Sequence, residues 1–392
     1  MLAVDDQQMP NTRFFATAAK DTALLVAKEL EAFNAQNIRA TTGGVHFEGS
    51  METLYRANLW LRTANRVLMP IAEFPCPTPE ALYENVRHIR WGDRMTLHQT
   101  LAVDCNCRDS QISHSRYAAL KIKDAIVDQF RDETGSRPNV DPRHPDLQIS
   151  AHIVKDQCVL SLDSSSARLH LRGYRCQATD VPLRETLAAA IVALVEWDGN
   201  GMFIDPMCGS GTILIEAALK AMNYAPGLIR WRDAPSEKRA FGFQRWPGFD
   251  WRLWRGLIDE ARMSIRQKIP GRLLGYDISR EAIAIAAQNA QIAGLEKHIR
   301  FARGDALKLS PRGNRGIIVC NLPYGERTGE FEELKSLYEG FGNVLKQRCT
   351  GYNAYLFTGN SKLAKCIGLR TSKRFTLYNG PIECRLLKYE LF

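Results

Sequence analysis

An apolar run, Phe203-Ile204, ends at Asp205 and enters the turn Pro206-Met207-Cys208-Gly209-Ser210-Gly211, ahead of the helix-like segment Thr212-Ile213-Leu214-Ile215-Glu216. Glycine at such a turn lets a ligand approach the backbone, and the helix that follows presents free N–H groups. A nicotinamide fingerprint would need a third glycine where Leu214 stands, and an acidic residue about 20 positions on, where Arg230 and Arg232 stand. A phosphate-binding loop of the GxxxxGK[ST] kind is absent. Two further acids close later apolar runs: Asp277 in Gly275-Tyr276-Asp277-Ile278-Ser279 and Asp305 in Gly304-Asp305-Ala306. Asp277 can accept from both hydroxyls of a ribose, Asp305 from an adenine amino group, and Asp205 lies where an ammonium group would sit. Three acids at three successive strand ends suit a cationic nucleoside with an amino acid tail, S-adenosylmethionine (AdoMet). Three ordinary strand-end aspartates would leave the glycine turn unexplained. Cys208, Gly209 and Gly211 are expected to meet the cofactor through backbone, with Ile278 and Ala306 beside the two later acids.

A fourth apolar run, Ile318-Val319-Cys320, leads into Asn321-Leu322-Pro323-Tyr324-Gly325-Glu326-Arg327. This is similar to the Asn-Pro-Pro-Tyr motif of amino-methyltransferases. An exocyclic ring amine is a poor nucleophile because its lone pair is delocalised. The Asn321 side-chain oxygen and the Leu322 carbonyl could hold its two hydrogens and localise that lone pair, while Tyr324 stacks on an extruded base. Pro323 keeps the turn; Leu322 departs from the usual first proline, which leaves its carbonyl available but relaxes the turn. Asn321 is counted with both the catalytic and the cofactor-binding residues. Glu326 and Arg327 could pair or line the base pocket.

These residues need a frame. From about Thr179 the sequence alternates helix and strand: helix 183–195, strand 202–205, helix 211–222, strand 273–277, helix 280–293, strands 300–303 and 316–321, helix 331–345 and strand 353–358. That implies a mainly parallel sheet covered on both faces. Upstream, 13–16 and 45–47 read as strands, 22–33 and 52–68 as helices, and Pro70, Pro75, Pro77 and Pro79 as breaks. A second unit has a strand at 97–104, a helix at 116–130 and closing strands at 147–154 and 158–163, with Ser164-Ser165-Ser166 as its exit. Between the first helix and second strand of the alternating region, residues 224–256 hold Trp231, Trp246, Trp251 and Trp254 interleaved with arginines. They could stack on and neutralise an RNA strand, or form a packed excursion.

The 392 residues suggest two or three domains. With 45% hydrophobic and 24% charged residues, the composition excludes a wholly disordered chain. No apolar run approaches the roughly 18 residues of a spanning helix, and Asp5 and Asp6 stand where a signal peptide needs positive charge. A cytoplasmic protein with no membrane association is expected. The ten cysteines are scattered, and Cys105-Asn-Cys107 has no second pair at ligand spacing, so no metal is expected. Charge is uneven: residues 1–200 carry 22 Lys and Arg against 25 Asp and Glu, residues 201–392 carry 30 against 18. The basic half suggests a polyanionic partner.

Taken together, the chain resembles the THUMP-domain class I methyltransferases that modify guanine N2 in RNA, over nearly its whole length. The likeness rests on Gly43 to Phe47, Arg116 to Asp128, Leu169-His170-Leu171-Arg172-Gly173-Tyr174-Arg175, Glu185 to Ile191, Asp205 to Glu216, Asn321 to Arg327 and Asn379-Gly380-Pro381. It implies an α/β chain with a ferredoxin-like unit (1–47, or on to about 80), a THUMP RNA-binding α+β domain (48–162), a linker (163–180) and a Rossmann-like methyltransferase domain (181–392). It adds Thr186 to the cofactor set. It implies methyl transfer to RNA, with 23S rRNA or a pre-ribosomal particle as substrate. Alternatives are a tRNA guanine-N2-methyltransferase, an N6-adenine or glutamine-amide methyltransferase sharing the motif, and a non-catalytic ribosome-assembly factor. Some members carry a second methyltransferase; with the sequence ending at Phe392, that activity is expected to be absent.

Overall fold

A computed structural model describes residues 11–176, 183–233, 240–313, 315–324 and 330–392. It divides into two compact units. The first comprises Val26–Leu169 and Trp231–Ile258 with residues 11–17; the second comprises His170–Arg230 and Asp259–Phe392 with Ala18–Leu25.

The first unit grows from alternation: β1 (Thr12–Ala18) buries Phe14 and Ala16 and exposes Arg13. Then come α1 (Ala23–Leu30), β2 (Gln36–Thr41), β3 (Gly44–Gly49), α2 (Met51–Trp60) and β4 (Ala64–Pro75), with strands ordered β2-β3-β1-β4. This is the ferredoxin-like arrangement. α3 (Pro79–Arg87), β5 (Leu101–Arg108), α4 (Ser115–Thr134), β6 (Leu147–Val154) and β7 (Gln157–Asp163) follow. β7 pairs antiparallel with β4, which makes one continuous sheet, β2-β3-β1-β4-β7-β6-β5. The expected limit at residue 47 falls inside β3.

Three local expectations are corrected. The helix over 52–68 stops at Trp60, where Leu61 turns extended, and β4 takes over. Pro70 does not break that strand because the register against β7 shifts between Pro70 and Ala72, a bulge that tolerates the missing N–H. Pro79 opens α3, with the Thr78 side chain accepting the Ala81 N–H at 3.2 Å. The serines after β7 are no loose exit: Asn58 of α2 donates to Ser164 Oγ at 2.8 Å, and Ser165 Oγ donates back to Asn58 Oδ1 at 2.7 Å.

The tryptophan-rich insertion resolves toward packing. Trp254 is fully buried, edge-on to Tyr55 of α2, Phe241 and Phe243, and Tyr55 stacks on Phe243 at 4.5 Å. Trp246 is buried as well, whereas Trp251 stays about half exposed. Arg239 lies outside the described residues.

The second unit contains α5 (Glu185–Leu194), β8 (Met202–Asp205), α6 (Thr212–Ala221), α7 (Pro226–Asp233, running into the insertion), α8 (Trp251–Met263, returning from it), β9 (Arg272–Asp277), α9 (Arg280–Ile292), β10 (Ile299–Arg303), β11 (Gly316–Asn321), α10 (Glu330–Arg348), β12 (Tyr352–Thr358), α11 (Ser361–Cys366), β13 (Lys373–Asn379) and β14 (Ile382–Glu390). Its sheet runs β10-β9-β8-β11-β12-β14-β13. The first five strands are parallel; β14 and β13 are antiparallel additions. Strand alternation fills a core on each face: Phe203 and Val319 in one, Ile204, Ile318 and Cys320 in the other. This is the Rossmann-like architecture expected.

Candidate active site

The register of the second sheet gathers the predicted residues. Asp205 pairs beside Gly275, so Asp277 lies two residues further along β9; Asp277 pairs beside Arg303, so Asp305 lies two residues beyond β10. β11 aligns Ile318 with Ile204, which puts Asn321 two residues past the level of Asp205. Asp305, Asp277, Asp205 and Asn321 therefore stand at the carboxyl ends of four adjacent strands. Three strand spacings span about 14 Å, in the place where open α/β sheets hold ligands.

The glycine turn is tied to this row. Asp277 accepts the Gly209 N–H at 2.9 Å on one oxygen and the Ser279 N–H at 2.9 Å on the other. The Cys208 N–H donates to the Tyr276 carbonyl at 2.8 Å. Gly211 has φ +78°, and a Cβ there would come within 2.9 Å of the Phe301 ring and 3.1 Å of Ala286 Cβ. Gly209 is different: a Cβ would meet nothing within 4 Å, so the space beside it is open. Gly211→Ala is expected to lower stability by about 1–3 kcal/mol from backbone strain alone, with the ring contact adding to it; urea unfolding of the variant measures this.

Asp205 is buried, and its carboxylate accepts the Met207 N–H at 3.2 Å. Burial, reinforced by the nearby Asp277 charge, pushes its carboxyl up to about 8. The same burial holds the Cys208 and Cys320 thiols well above their usual range, which disfavours the thiolate at both. Asp305 caps the short 3₁₀ turn Ala306–Lys308, accepting the Leu307 N–H at 2.9 Å. Ala306 is buried, whereas Ile278 is 66% exposed at the sheet's carboxyl edge. Thr186 is buried in the first turn of α5.

Asn321 ends β11, and its side-chain oxygen is buried with no hydrogen-bond partner among the described residues. Groups beside it have partners of their own. The Leu322 N–H donates to the Phe357 carbonyl at 3.0 Å, and the Leu322 side chain is buried. The Pro323 carbonyl accepts the Tyr338 hydroxyl at 3.0 Å, and that hydroxyl is 2.8 Å from Thr358 Oγ1. The Tyr324 ring is edge-on to Phe357, and the Asn379 side chain donates to its hydroxyl at 2.9 Å. Burial raises the Tyr324 phenol to about 12, so it stays neutral. Gly359 leaves room for this ring: a Cβ there would be 2.7 Å from Tyr324 Cδ2. Gly325, Glu326 and Arg327 lie outside the described residues.

Several supports escape a reading by motif. Asn289 of α9, fully buried, donates to the Ser210 carbonyl at 3.0 Å and accepts the Cys176 N–H at 3.0 Å, bracing the glycine turn from behind. Arg172 and the Tyr174 hydroxyl converge on buried Glu216 of α6, at 3.5 and 3.0 Å. Tyr338 and Thr358 hold the Asn321 turn. Asn379 belongs to a hairpin, β13–β14, whose signal was the glycine opening the two-residue turn Gly380-Pro381.

Comparison with known proteins agrees with this architecture. Residues 172–388 match the family described as RMKL-like, methyltransferase domain. Residues 76–163 match the THUMP domain and 13–68 the RlmL ferredoxin-like domain. The chain is 45% identical over 390 residues to the ribosomal RNA large subunit methyltransferase K/L of Syntrophotalea carbinolica, covering 97% of this chain and 53% of that protein. It thus spans about half the length of such relatives. It is 41% identical over 379 residues to a Synechocystis protein named provisionally as an RNA methyltransferase, covering 97% of each. A solved structure described provisionally as a methyltransferase, complexed with SAH, superposes with a TM-score of 0.86 at 29% identity, covering 98% of this chain and 99% of that one.

Proposed function

Because the chain belongs to the RMKL-like methyltransferase family, we propose that it moves a methyl group from AdoMet to the exocyclic N2 amine of a guanine in RNA, with 23S rRNA or a pre-ribosomal particle as the substrate. The observation that carries this reading is the buried, unpartnered oxygen of Asn321 at the end of β11. A buried acceptor without a donor is costly and calls for a partner, and an amine hydrogen supplies one.

The residues present fit the cofactor. Asp205 is a buried carboxyl without a cation beside it among the described residues, the open space at Gly209 admits a ligand against the backbone, and the acid row has a nucleoside's length. Bound AdoMet supplies an activated methyl group on a sulfonium, a good leaving group, so the protein needs no strong base. Asp205 would face the ammonium, Asp277 the ribose and Asp305 the adenine, with Thr186, Cys208, Gly209, Gly211, Ile278 and Ala306 around them. The Asn321 oxygen and the Leu322 carbonyl orient the target amine; no described donor occupies that carbonyl, whereas the Pro323 carbonyl is taken by Tyr338. Tyr324, clamped by Asn379 and Phe357, offers a rigid face to the extruded base. Catalysis is then positioning with electrostatic help. The proposal assigns RNA binding to the THUMP module at 76–163.

The test is methyl transfer from labelled AdoMet to unmodified 23S rRNA, followed by digestion to nucleosides and mass spectrometry. Label in N2-methylguanosine is the expected result. Label in N6-methyladenosine would overturn the substrate. No label on any RNA, with AdoMet bound, would favour the assembly-factor reading.

A further inference from the structure

A groove of about 690 Å³ opens between α11 and the outer strands β13 and β14. Its floor is apolar, with Leu387 and Tyr389 of β14. Its walls carry Lys365, Arg370, Arg374 and Arg385, and no carboxylate lines it; Lys373 borders it from β13 with its ammonium turned to the other face, over the Phe375 ring. All five cations are exposed. Only Arg385 has a carboxylate near, Glu383 at 3.7 Å; among the described residues none pairs with Lys365, Arg370, Lys373 or Arg374. Arg374 is oriented instead by donating to Thr371 Oγ1 at 2.9 Å.

β13 is the last strand of its sheet, and lysine there guards an open edge against pairing. That accounts for Lys373. It does not account for Lys365 on α11 or Arg370 in the following loop, which face the same groove from off the strand. Four like charges, with Glu383 beside Arg385 their single paired acid among the described residues, repel one another, and a polyanion relieves that repulsion.

One end of the groove lies near the end of the sheet that carries the candidate active site. Ile382, the first residue of β14, and Tyr324 both border Gly359. Three residues on, roughly 10 Å along the strand, Arg385 pairs beside Thr358, whose hydroxyl meets the Tyr338 hydroxyl that holds the Pro323 carbonyl. A strand whose base is held at Tyr324 would round the end of β14, from the Tyr324 face of the sheet to the face under α11, to lay its backbone between the cationic walls.

We propose that this groove binds the phosphate backbone of the RNA strand flanking the target nucleotide, as an anchoring site separate from the THUMP module. The inference rests on the proposed RNA substrate. It makes Arg370 and Arg374 substrate-positioning residues that never touch the reacting atoms.

The experiment compares the full chain with its Arg370→Glu/Arg374→Glu variant. It measures the affinity for unmodified 23S rRNA over a salt series, together with kcat, KM for RNA and the affinity for AdoMet. The variant should bind RNA at least about tenfold more weakly, and its salt dependence should flatten by about 1.4 in log–log slope, two single-strand phosphates at roughly 0.7 each. The kcat at saturating RNA and AdoMet binding should stay at wild-type values, which also shows that the variant is folded. Arg370→Gln/Arg374→Gln should lose the same slope with a smaller loss of affinity. Wild-type RNA affinity, KM and slope in the variants would overturn the groove while leaving the proposed function intact. A wild-type chain that neither binds nor methylates RNA would overturn the proposed function, and the groove with it.

Discussion

Asn321→Ala should cut kcat by about 10²–10³-fold, the loss expected for one preorganised group at the reacting centre, about 3–4 kcal/mol. The loss should exceed any change in AdoMet affinity. The reason is the state of the Asn321 oxygen: buried and unpartnered among the described residues, beside a Leu322 N–H and a Pro323 carbonyl that already have partners. Removing it relieves a buried unsatisfied acceptor in the free protein, so stability should hold or rise slightly while turnover collapses. Single-turnover methylation beside equilibrium AdoMet binding measures both quantities. An equal loss in both would make Asn321 a cofactor residue only.

Asp205→Asn should abolish AdoMet binding at neutral pH and, in the same variant, stabilise the free protein. The two effects share one cause. The Asp205 carboxyl is held near 8 by burial and the Asp277 charge, against roughly 3.9 in an unfolded chain. Between those values the folded state binds more protons than the unfolded one. Stability of the free protein therefore falls as pH rises from about 4 to about 8, and a neutral Asn escapes that cost. Ligand binding has the opposite sign. An ammonium group beside Asp205 favours the ionised carboxylate, so binding below pH 8 should release a proton and tighten as pH approaches 8. Calorimetry in two buffers of different ionisation heat would show that release in the wild type. Thermal unfolding of the variant from pH 5 to 8 would show a stability gain that grows with pH. A variant no more stable than wild type at pH 8 would show that Asp205 is ionised without its ligand.

The residues of the candidate site were legible in the sequence because each group is local. Asp205, Gly209 and Gly211 sit within seven residues, and Asn321 to Tyr324 within four. The strand-end rule for parallel sheets then brings Asp277 and Asp305 beside them. What was not legible depends on residues distant in sequence. Nothing near Asn289 announces that it would brace the Ser210 carbonyl across 79 positions. The strand 64–75 was hidden because its prolines are tolerated only at the bulge and strand end that β7 creates. The aromatic insertion looked equally suited to RNA and to a core until Tyr55, almost 200 residues earlier, supplied the partner for Trp254.

That partnership restricts how the chain can be divided. Trp231–Ile258 lies in the middle of the methyltransferase sequence yet is counted in the first compact unit. Beyond Val26, the polypeptide therefore passes between the units at Leu169, at Arg230 and again within α8. A fragment ending at Leu169 would carry Tyr55 without Phe243 or Trp254, and the complementary fragment would carry those rings without Tyr55. Neither half is a transplantable cassette. Recombination that swaps one N-terminal unit for another must bring a matched insertion with it, so the two sequences are bound to drift as a pair.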